Sequence, residues 1–274
     1  MIVKSVLFKG GFEIDMFKEL SEFIRLKLCI FASFLAIGSY LLFNQLSFDI
    51  IFVALVSFFV VMGGYAYNNI RDKEEDLINR KKENRFVVNK SYLIVVFSFL
   101  MALLLSLSLS FHSILFTIIG ITVCTIYSLF RIKKYFLLKN IYTGFGVAQV
   151  FLLGANYITV EIFSHYLLIS FFIIIGSIIS DLRDYKGDKI VGIKTLPTML
   201  GYDRSKEVTF LLLISYMLIS SSYFPILLPF PLIMIYFLYK NNISTAHSCV
   251  GLSFVFLTFW LIVREVVNHV YGYI

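Results

Sequence analysis

The sequence predicts an all-α protein that crosses a membrane several times, and three observations support this fold class. Of its 274 residues, 59% are hydrophobic and only 15% are charged, whereas soluble globular domains carry about 25% charged residues. Apolar runs recur at lengths that can cross the roughly 30 Å of hydrocarbon in a bilayer. The basic residues cluster in alternate connections between these runs. We therefore expect one polytopic membrane domain over residues 1–274.

Nine apolar segments are predicted to be the transmembrane helices. They lie at about residues 24–43, 48–70, 92–110, 113–130, 141–160, 163–181, 207–223, 225–239 and 249–270. Residues 1–22 mix charged and apolar side chains, and we expect them to form a cytoplasmic N-terminal segment. Pro225, Pro229 and Pro231 predict a turn or kink between the seventh and eighth segments.

The distribution of basic residues predicts the orientation in the membrane. With nine spans, every Lys and Arg except Arg264 falls on one side, and the loops of the other side contain none. Basic loops face the cytoplasm, so we expect the N-terminus inside and the C-terminus outside. This basic rim, facing anionic lipids, accounts for the net charge of +7. Nucleic acid is therefore not expected as a partner.

Two acidic clusters at the ends of apolar segments are the candidate chemical site. Their members are Asn68, Asp72 and Asp76 in the first cluster and Asp181, Asp184 and Asp188 in the second. Steps of three or four residues place side chains on one helical face, where carboxylates repel and need a counter-ion. Hard oxygen ligands suit Mg²⁺, which keeps waters and shares a substrate's phosphates. Both clusters are predicted to face the cytoplasm and to hold Mg²⁺ with a diphosphate.

A prenyl diphosphate meets these demands, because its tail needs an apolar cavity and its head needs cations. Ionising the allylic C–O bond leaves a carbocation, and metal ions stabilise the charge growing on the diphosphate that leaves. The candidate phosphate contacts are Arg80, Arg85, Lys133 and Lys134. Asn156 is a candidate for lining the cavity near the acceptor, although a helix–helix hydrogen bond is the commoner role. Arg25 is expected to anchor the first segment at the interface, with an acceptor carboxylate as the other option.

These motifs resemble the UbiA superfamily of intramembrane prenyltransferases. Residues 68–76 match that family's N-x-x-x-D-x-x-x-D signature, and residues 181–188 match its D-x-x-D-x-x-G-D motif. Residues 192–201 resemble the G-x-K-T-L-P-x-x-L-G tail, and Tyr127 with Lys133 and Asn140 resembles the loop after the fourth helix. The resemblance covers residues 20–270 approximately.

The resemblance implies nine helices around a central cavity, capped by cytoplasmic loops, and Mg²⁺-dependent transfer of a prenyl group. It makes the six cluster residues ligands of metal and diphosphate, with Asp72, Asp76, Asp181 and Asp188 as catalytic residues. Lys133 would contact the diphosphate. Tyr127 would stabilise the carbocation or position the substrate, a role that suits an aromatic face. Packing is the alternative for Tyr127.

The acceptor stays open between an aromatic quinone precursor and a lipid-like alcohol. Phe86 follows Arg85 where many members have Arg-Pro, and residues 176–180 read Gly-Ser-Ile-Ile-Ser. Members that make archaeal ether lipids often carry Arg, Glu and Lys in that second stretch, so its composition argues against a glycerol-phosphate acceptor. Three alternatives are an ether-lipid prenyltransferase, a terpene cyclase of the same fold, and a divalent-cation transporter. Transporters usually bind ions near the midplane, whereas these acids lie at segment ends.

Overall fold

The computed structural model describes residues 16–73 and 84–271, which form helices joined by short connections. The helices are α1 (Leu26–Phe43), α2 (Asp49–Arg71), α3 (Tyr92–Ser106), α4 (Phe111–Leu129), α5 (Leu138–Ala155), α6 (Val160–Val191), α7 (Leu196–Leu200), α8 (Tyr202–Ser220), α9 (Pro229–Tyr239) and α10 (Ile243–Tyr271). Residues 16–23 are also helical. Single 3₁₀ turns occupy Asn89–Ser91, Ile132–Lys134 and Pro225–Leu227. The all-α prediction is confirmed.

Five of the described helices, namely α1, α2, α4, α6 and α10, are long and apolar enough to cross a membrane. The helices α3 and α9 are shorter, with 15 and 11 residues. At 1.5 Å per residue α9 spans about 16 Å, well short of the hydrocarbon thickness. Each predicted segment coincides with a helix, but nine spans around a central cavity remain a prediction.

The two acidic clusters differ in their relation to the helices that carry them. The helix α6 has 32 residues and continues for ten residues beyond the predicted apolar segment, so the second cluster lies within its last turns. It ends at Gly192, whose φ of 77° is left-handed, a conformation that glycine adopts without steric cost. By contrast, α2 ends at Arg71 and Asp72 is its C-cap residue. Asp76 lies outside the described residues.

The long helices pack in a closed circuit. In order around it, α1 contacts α2, α2 contacts α4, α4 contacts α5, α5 contacts α6, α6 contacts α10, and α10 returns to α1. The helix α5 also packs directly on α1, while α3 lies outside α2 and α8 lies outside α6. The circuit brings the ends of α2, α4, α5 and α6 within reach of one another.

Close approaches of α5 to its neighbours depend on glycines. A Cβ added at Gly154 would clash with the Ala36 carbonyl oxygen of α1, and one added at Gly144 would lie 2.8 Å from the Ser170 carbonyl oxygen of α6. Small residues allow such backbone-to-backbone packing between helices in a membrane. They fix the position of α5 against both neighbours.

The N-terminal segment packs on the bundle. Phe23 and Ile24 form a small buried core with Ala66 and Ile70 of α2 and Val95 of α3. Its described part is therefore attached to the acidic end of α2.

Replacing Gly154 with Ala should destabilise the protein, because the methyl group meets a backbone atom that cannot move independently. Overpacking of this kind costs about 1–3 kcal/mol, visible as a lower melting temperature in detergent. Gly187→Ala is the matched control: it is also helical, and nothing lies within 4 Å of its added Cβ. Equal melting temperatures for both variants would contradict the packing argument.

Candidate active site

The first cluster is assembled around the carboxylate of Asp72, which is 8% exposed. Asn68, one turn earlier on α2, donates from Nδ2 to Asp72 Oδ2 at 2.9 Å. Lys133 Nζ lies 2.7 Å from the other oxygen, Oδ1. Both carboxylate oxygens are therefore engaged by donors of the chain.

The second cluster is assembled around Asp181, whose residue is 1% exposed. Lys139 donates from Nζ to Asp181 Oδ1, and Asn140 donates from Nδ2 to Oδ2 at 2.9 Å. Asn140 Nδ2 also lies 3.0 Å from Ser177 Oγ. A charge buried this deeply is tolerated only with such partners.

One short segment joins the two clusters. We call residues 130–137 the α4–α5 connector; it contains the 3₁₀ turn Ile132–Lys134. Arg131 and Leu137 have left-handed φ values of 50° and 57°, which mark its two sharp bends. Lys133 of the connector pairs with the first cluster, and Lys139 in the first turn of α5 pairs with the second. Because these lysines are six residues apart, both clusters lie at the same end of the bundle.

Further along α6, Asp184 is more exposed and has a different partner. Arg183 donates from Nε to Asp184 Oδ1 and from Nη2 to Oδ2, both at 2.9 Å. Arg183 also donates to Ser180 Oγ at 2.9 Å, and His247 of α10 interacts electrostatically with both members of the pair. The spacing on α6 directs Asp188 to the same side of the helix as Asp181 and Asp184.

Tyr127 lies beside the first cluster, in the last turn of α4. It interacts electrostatically with Asp72, Lys133 and Arg25, and its ring centroid is 5.8 Å from that of Tyr142. The aromatic residue singled out in the sequence therefore stands next to the carboxylate and its lysine.

Three further side chains lie beside the site, and of these only Arg25 had been given a possible chemical role from the sequence. The Arg25 guanidinium lies over the Tyr65 ring, 4.9 Å from its centroid, and near Tyr127 rather than only at the lipid interface. Lys139 was one of many basic rim residues. The one sequence signal for a role of Lys139 in the site was its position directly before the motif residue Asn140.

Two other predicted residues, Arg85 and Asn156, contact residues outside the two clusters. Arg85 donates from Nε to Glu19 Oε2 at 2.7 Å and from Nη2 to Oε1 at 3.1 Å, and these bonds join it to the N-terminal helix. Asn156 is the left-handed C-cap of α5, about 24 Å along the axis from Asn140. It accepts hydrogen bonds from Ser110 and Ser113, which gives it the interhelical role. Arg80 and Asp76 lie outside the described residues.

The donor chemistry fits Mg²⁺ shared with a phosphate ligand. Within the part of the chain that is described, no three acidic, His or Cys side chains converge into a metal site of their own. Mg²⁺ does not need such a cage, because it is commonly bound by one or two carboxylates together with substrate phosphates and water. Asp72, Asp181 and Asp184 supply carboxylates of this kind.

Comparison with known proteins decides the family. A model of the UbiA prenyltransferase family matches residues 27–265. The chain belongs to the UbiA prenyltransferase family. It is accordingly a prenyltransferase and an integral membrane protein, in agreement with its five apolar helices.

Relatives of this UbiA protein include two archaeal enzymes. The digeranylgeranylglyceryl phosphate synthase of Saccharolobus solfataricus is 27% identical over 74% of this chain and 76% of the relative. That of Methanocaldococcus jannaschii is 29% identical over 76% of each. A solved structure of a UbiA homologue from Archaeoglobus fulgidus, bound to DMAPP and Mg²⁺, has a TM-score of 0.67 with 17% identity, covering 89% of this chain and 99% of that one.

Removing the partner of Asp181 should be strongly destabilising. Lys139→Met leaves a carboxylate that is 1% exposed without its cation, and breaking a buried pair from one side costs about 3–5 kcal/mol. The double variant with Asp181→Leu should regain most of this loss, because no charge then stays buried. Thermal unfolding in detergent measures both. If Lys139→Met alone were as stable as the native protein, the Lys139–Asp181 ion pair would not be needed for folding.

Proposed function

We propose that this UbiA protein transfers a polyprenyl group from its diphosphate to the hydroxyl of a glycerol-phosphate lipid, with Mg²⁺ at the acidic end of the bundle. The observation that carries the proposal is the similarity to two digeranylgeranylglyceryl phosphate synthases over three quarters of the chain. The A. fulgidus homologue binds a prenyl diphosphate with Mg²⁺ on a similar fold, which supports the same ligands here.

The residues of the site suit the ionisation of a prenyl diphosphate. Asp72, Asp181 and Asp184 would hold Mg²⁺, which stabilises negative charge on the diphosphate that leaves. Lys133 and Lys139 lie beside these carboxylates as point charges for phosphate oxygens. The face of Tyr127 is suited to stabilising positive charge on the prenyl carbon. Apolar surroundings would exclude water, so that the acceptor hydroxyl forms the new C–O bond to the cation and gives up its proton to the departing diphosphate.

The uncharged stretch at residues 176–180 does not leave this region without positive charge. Ser177 accepts a hydrogen bond from Asn140, and Ser180 accepts one from Arg183. Lys139 also lies close to the stretch, because it pairs with Asp181, the residue that directly follows the stretch. Lys139 of α5 and Arg183 in the next turn of α6 therefore bring positive charge next to the stretch. A phosphate on the acceptor would therefore meet counter-charge.

Incubation of the purified protein with geranylgeranyl diphosphate, Mg²⁺ and competing acceptors tests the proposal. We expect a prenylated product from geranylgeranylglyceryl phosphate and none from an aromatic quinone-precursor acid, as identified by mass spectrometry. A product from the aromatic acid alone would establish the second candidate function, prenyl transfer to an aromatic quinone precursor. The absence of charged residues at positions 176–180 favours that function. A cyclic hydrocarbon formed without any acceptor would establish a cyclase.

Asp72→Asn should lower diphosphate release by about 10²–10³-fold, the usual effect of losing one electrostatic contact to a developing charge. Asp203→Asn makes the same chemical change at an exposed position of α8 and should leave the rate unchanged. Unaltered diphosphate release in Asp72→Asn would exclude this carboxylate from the reaction.

We also propose that the acidic end faces the cytoplasm, on the basis of the basic loops. Single cysteines at Lys134, in the connector, and at Phe48, between α1 and α2, lie at opposite ends of the bundle. With the native cysteines replaced, an impermeant maleimide should label Phe48→Cys in intact cells and Lys134→Cys only after permeabilisation. The reverse pattern would invert the topology.

A further inference from the structure

Three carboxylates of the two clusters, those of Asp72, Asp181 and Asp184, are already paired with donors of the chain itself. Each of these three accepts a separate donor atom on each of its two oxygens. The donor pairs are Asn68 with Lys133 on Asp72, Lys139 with Asn140 on Asp181, and the Nε and Nη2 atoms of Arg183 on Asp184. A metal ion bound to Asp72 or Asp181 would lie close to the lysine ammonium on the same carboxylate, and the two positive charges repel each other. Tight metal binding therefore favours departure of the lysine.

The donors differ in how they can respond to a metal ion. The amides of Asn68 and Asn140 carry an oxygen as well as a nitrogen, so a rotation of the side chain turns a donor into an acceptor. A lysine ammonium has only donors. Lys133 and Lys139 must therefore leave the carboxylate and find another anion.

Burial makes that second anion necessary. Asp181 and Asp72 have side-chain exposures of 1% and 12%, while their lysine partners have 24% and 20%. Separating such pairs without replacing the partner leaves poorly solvated charges. The Arg183–Asp184 pair is 41% and 52% exposed, so water screens it and its exchange has little effect.

We propose that Lys133 and Lys139 are positioning residues that couple metal binding to diphosphate binding. Each lysine transfers from its carboxylate to a phosphate oxygen as that carboxylate turns to the metal ion, so that metal and diphosphate bind tightly only together. When diphosphate departs, the lysines return to the carboxylates and the metal is released with it. The inference rests on the proposed function only in requiring a diphosphate ligand; it is independent of the acceptor.

Binding of Mn²⁺ to the full-length protein in detergent tests the coupling without any prenyl substrate. The EPR signal of free Mn²⁺ gives the affinity with and without inorganic diphosphate, after correction with a protein-free titration for the complex that the two form in solution. In the native protein, diphosphate should tighten Mn²⁺ binding by about 5–150-fold, the usual range of coupling between two sites. Lys133→Gln should bind Mn²⁺ alone about fivefold or more tightly, and its coupling factor should fall toward one.

Lys240→Gln is the matched control, because it removes the same charge at an exposed position of the basic rim, directly after α9. It should leave both affinities close to native. An equal gain in Lys240→Gln would show that the effect comes from the overall positive charge of the rim, and would overturn the proposal. Unchanged or weaker Mn²⁺ binding in Lys133→Gln would overturn it as well.

Lys139→Gln provides a second test at the more buried pair, with a melting curve to establish that the variant is folded. A folded variant should also bind Mn²⁺ alone more tightly, and a folded variant with native coupling would contradict the exchange at Asp181. Normal Mn²⁺–diphosphate coupling in a protein that prenylates no glycerol-phosphate lipid would leave this inference standing and remove only the proposed acceptor.

Discussion

The buried carboxylate of Asp181 is the constraint on which the acidic end of the bundle depends. It is 1% exposed and needs two donors, which Lys139 and Asn140 supply from the first turn of α5. This requirement fixes where α5 begins relative to α6, and Gly144 allows the two backbones to meet one turn deeper. The connector that precedes α5 is thereby held in place, and Lys133 reaches Asp72 from it. A single buried charge thus organises both clusters.

The composition was sufficient to predict the all-α class and the segments, because those features are local in sequence. The family motifs, rather than local patterns, placed Asn68, Lys133 and Asn140 near the two carboxylates. The length of α6 was not predictable from hydropathy, since polar residues continue the helix beyond its apolar part. The pairing of Lys139 with Asp181 spans 42 residues and depends on how α5 packs on α6. In the local sequence, only its position directly before the motif residue Asn140 distinguishes Lys139 from the other basic rim residues.

The same limit applies to two questions that the sequence left open. Asn156 is polar within an apolar stretch, which is equally compatible with a ligand contact and with the helix–helix hydrogen bonds that it makes. The stretch at residues 176–180 lacks charges, and taken alone it argues against a phosphate-bearing acceptor. In three dimensions Ser177 and Ser180 contact Asn140 and Arg183, so the charge of the region depends on neighbours that a linear motif does not include.

The helix ends at which the acids lie strengthen their demand for cations. Asp72 is the C-cap of α2, and Asp188 lies in the last turn of α6. A helix C-terminus carries partial negative charge and disfavours carboxylates, which are normally found at N-termini. These two acids are therefore unfavourably placed for helix stability, and cations offset the repulsion. The positive end of α5 adjoins Asp181 and acts in the same direction. A site built in this way favours any ligand that brings cations and anions together, as a metal-bound diphosphate does.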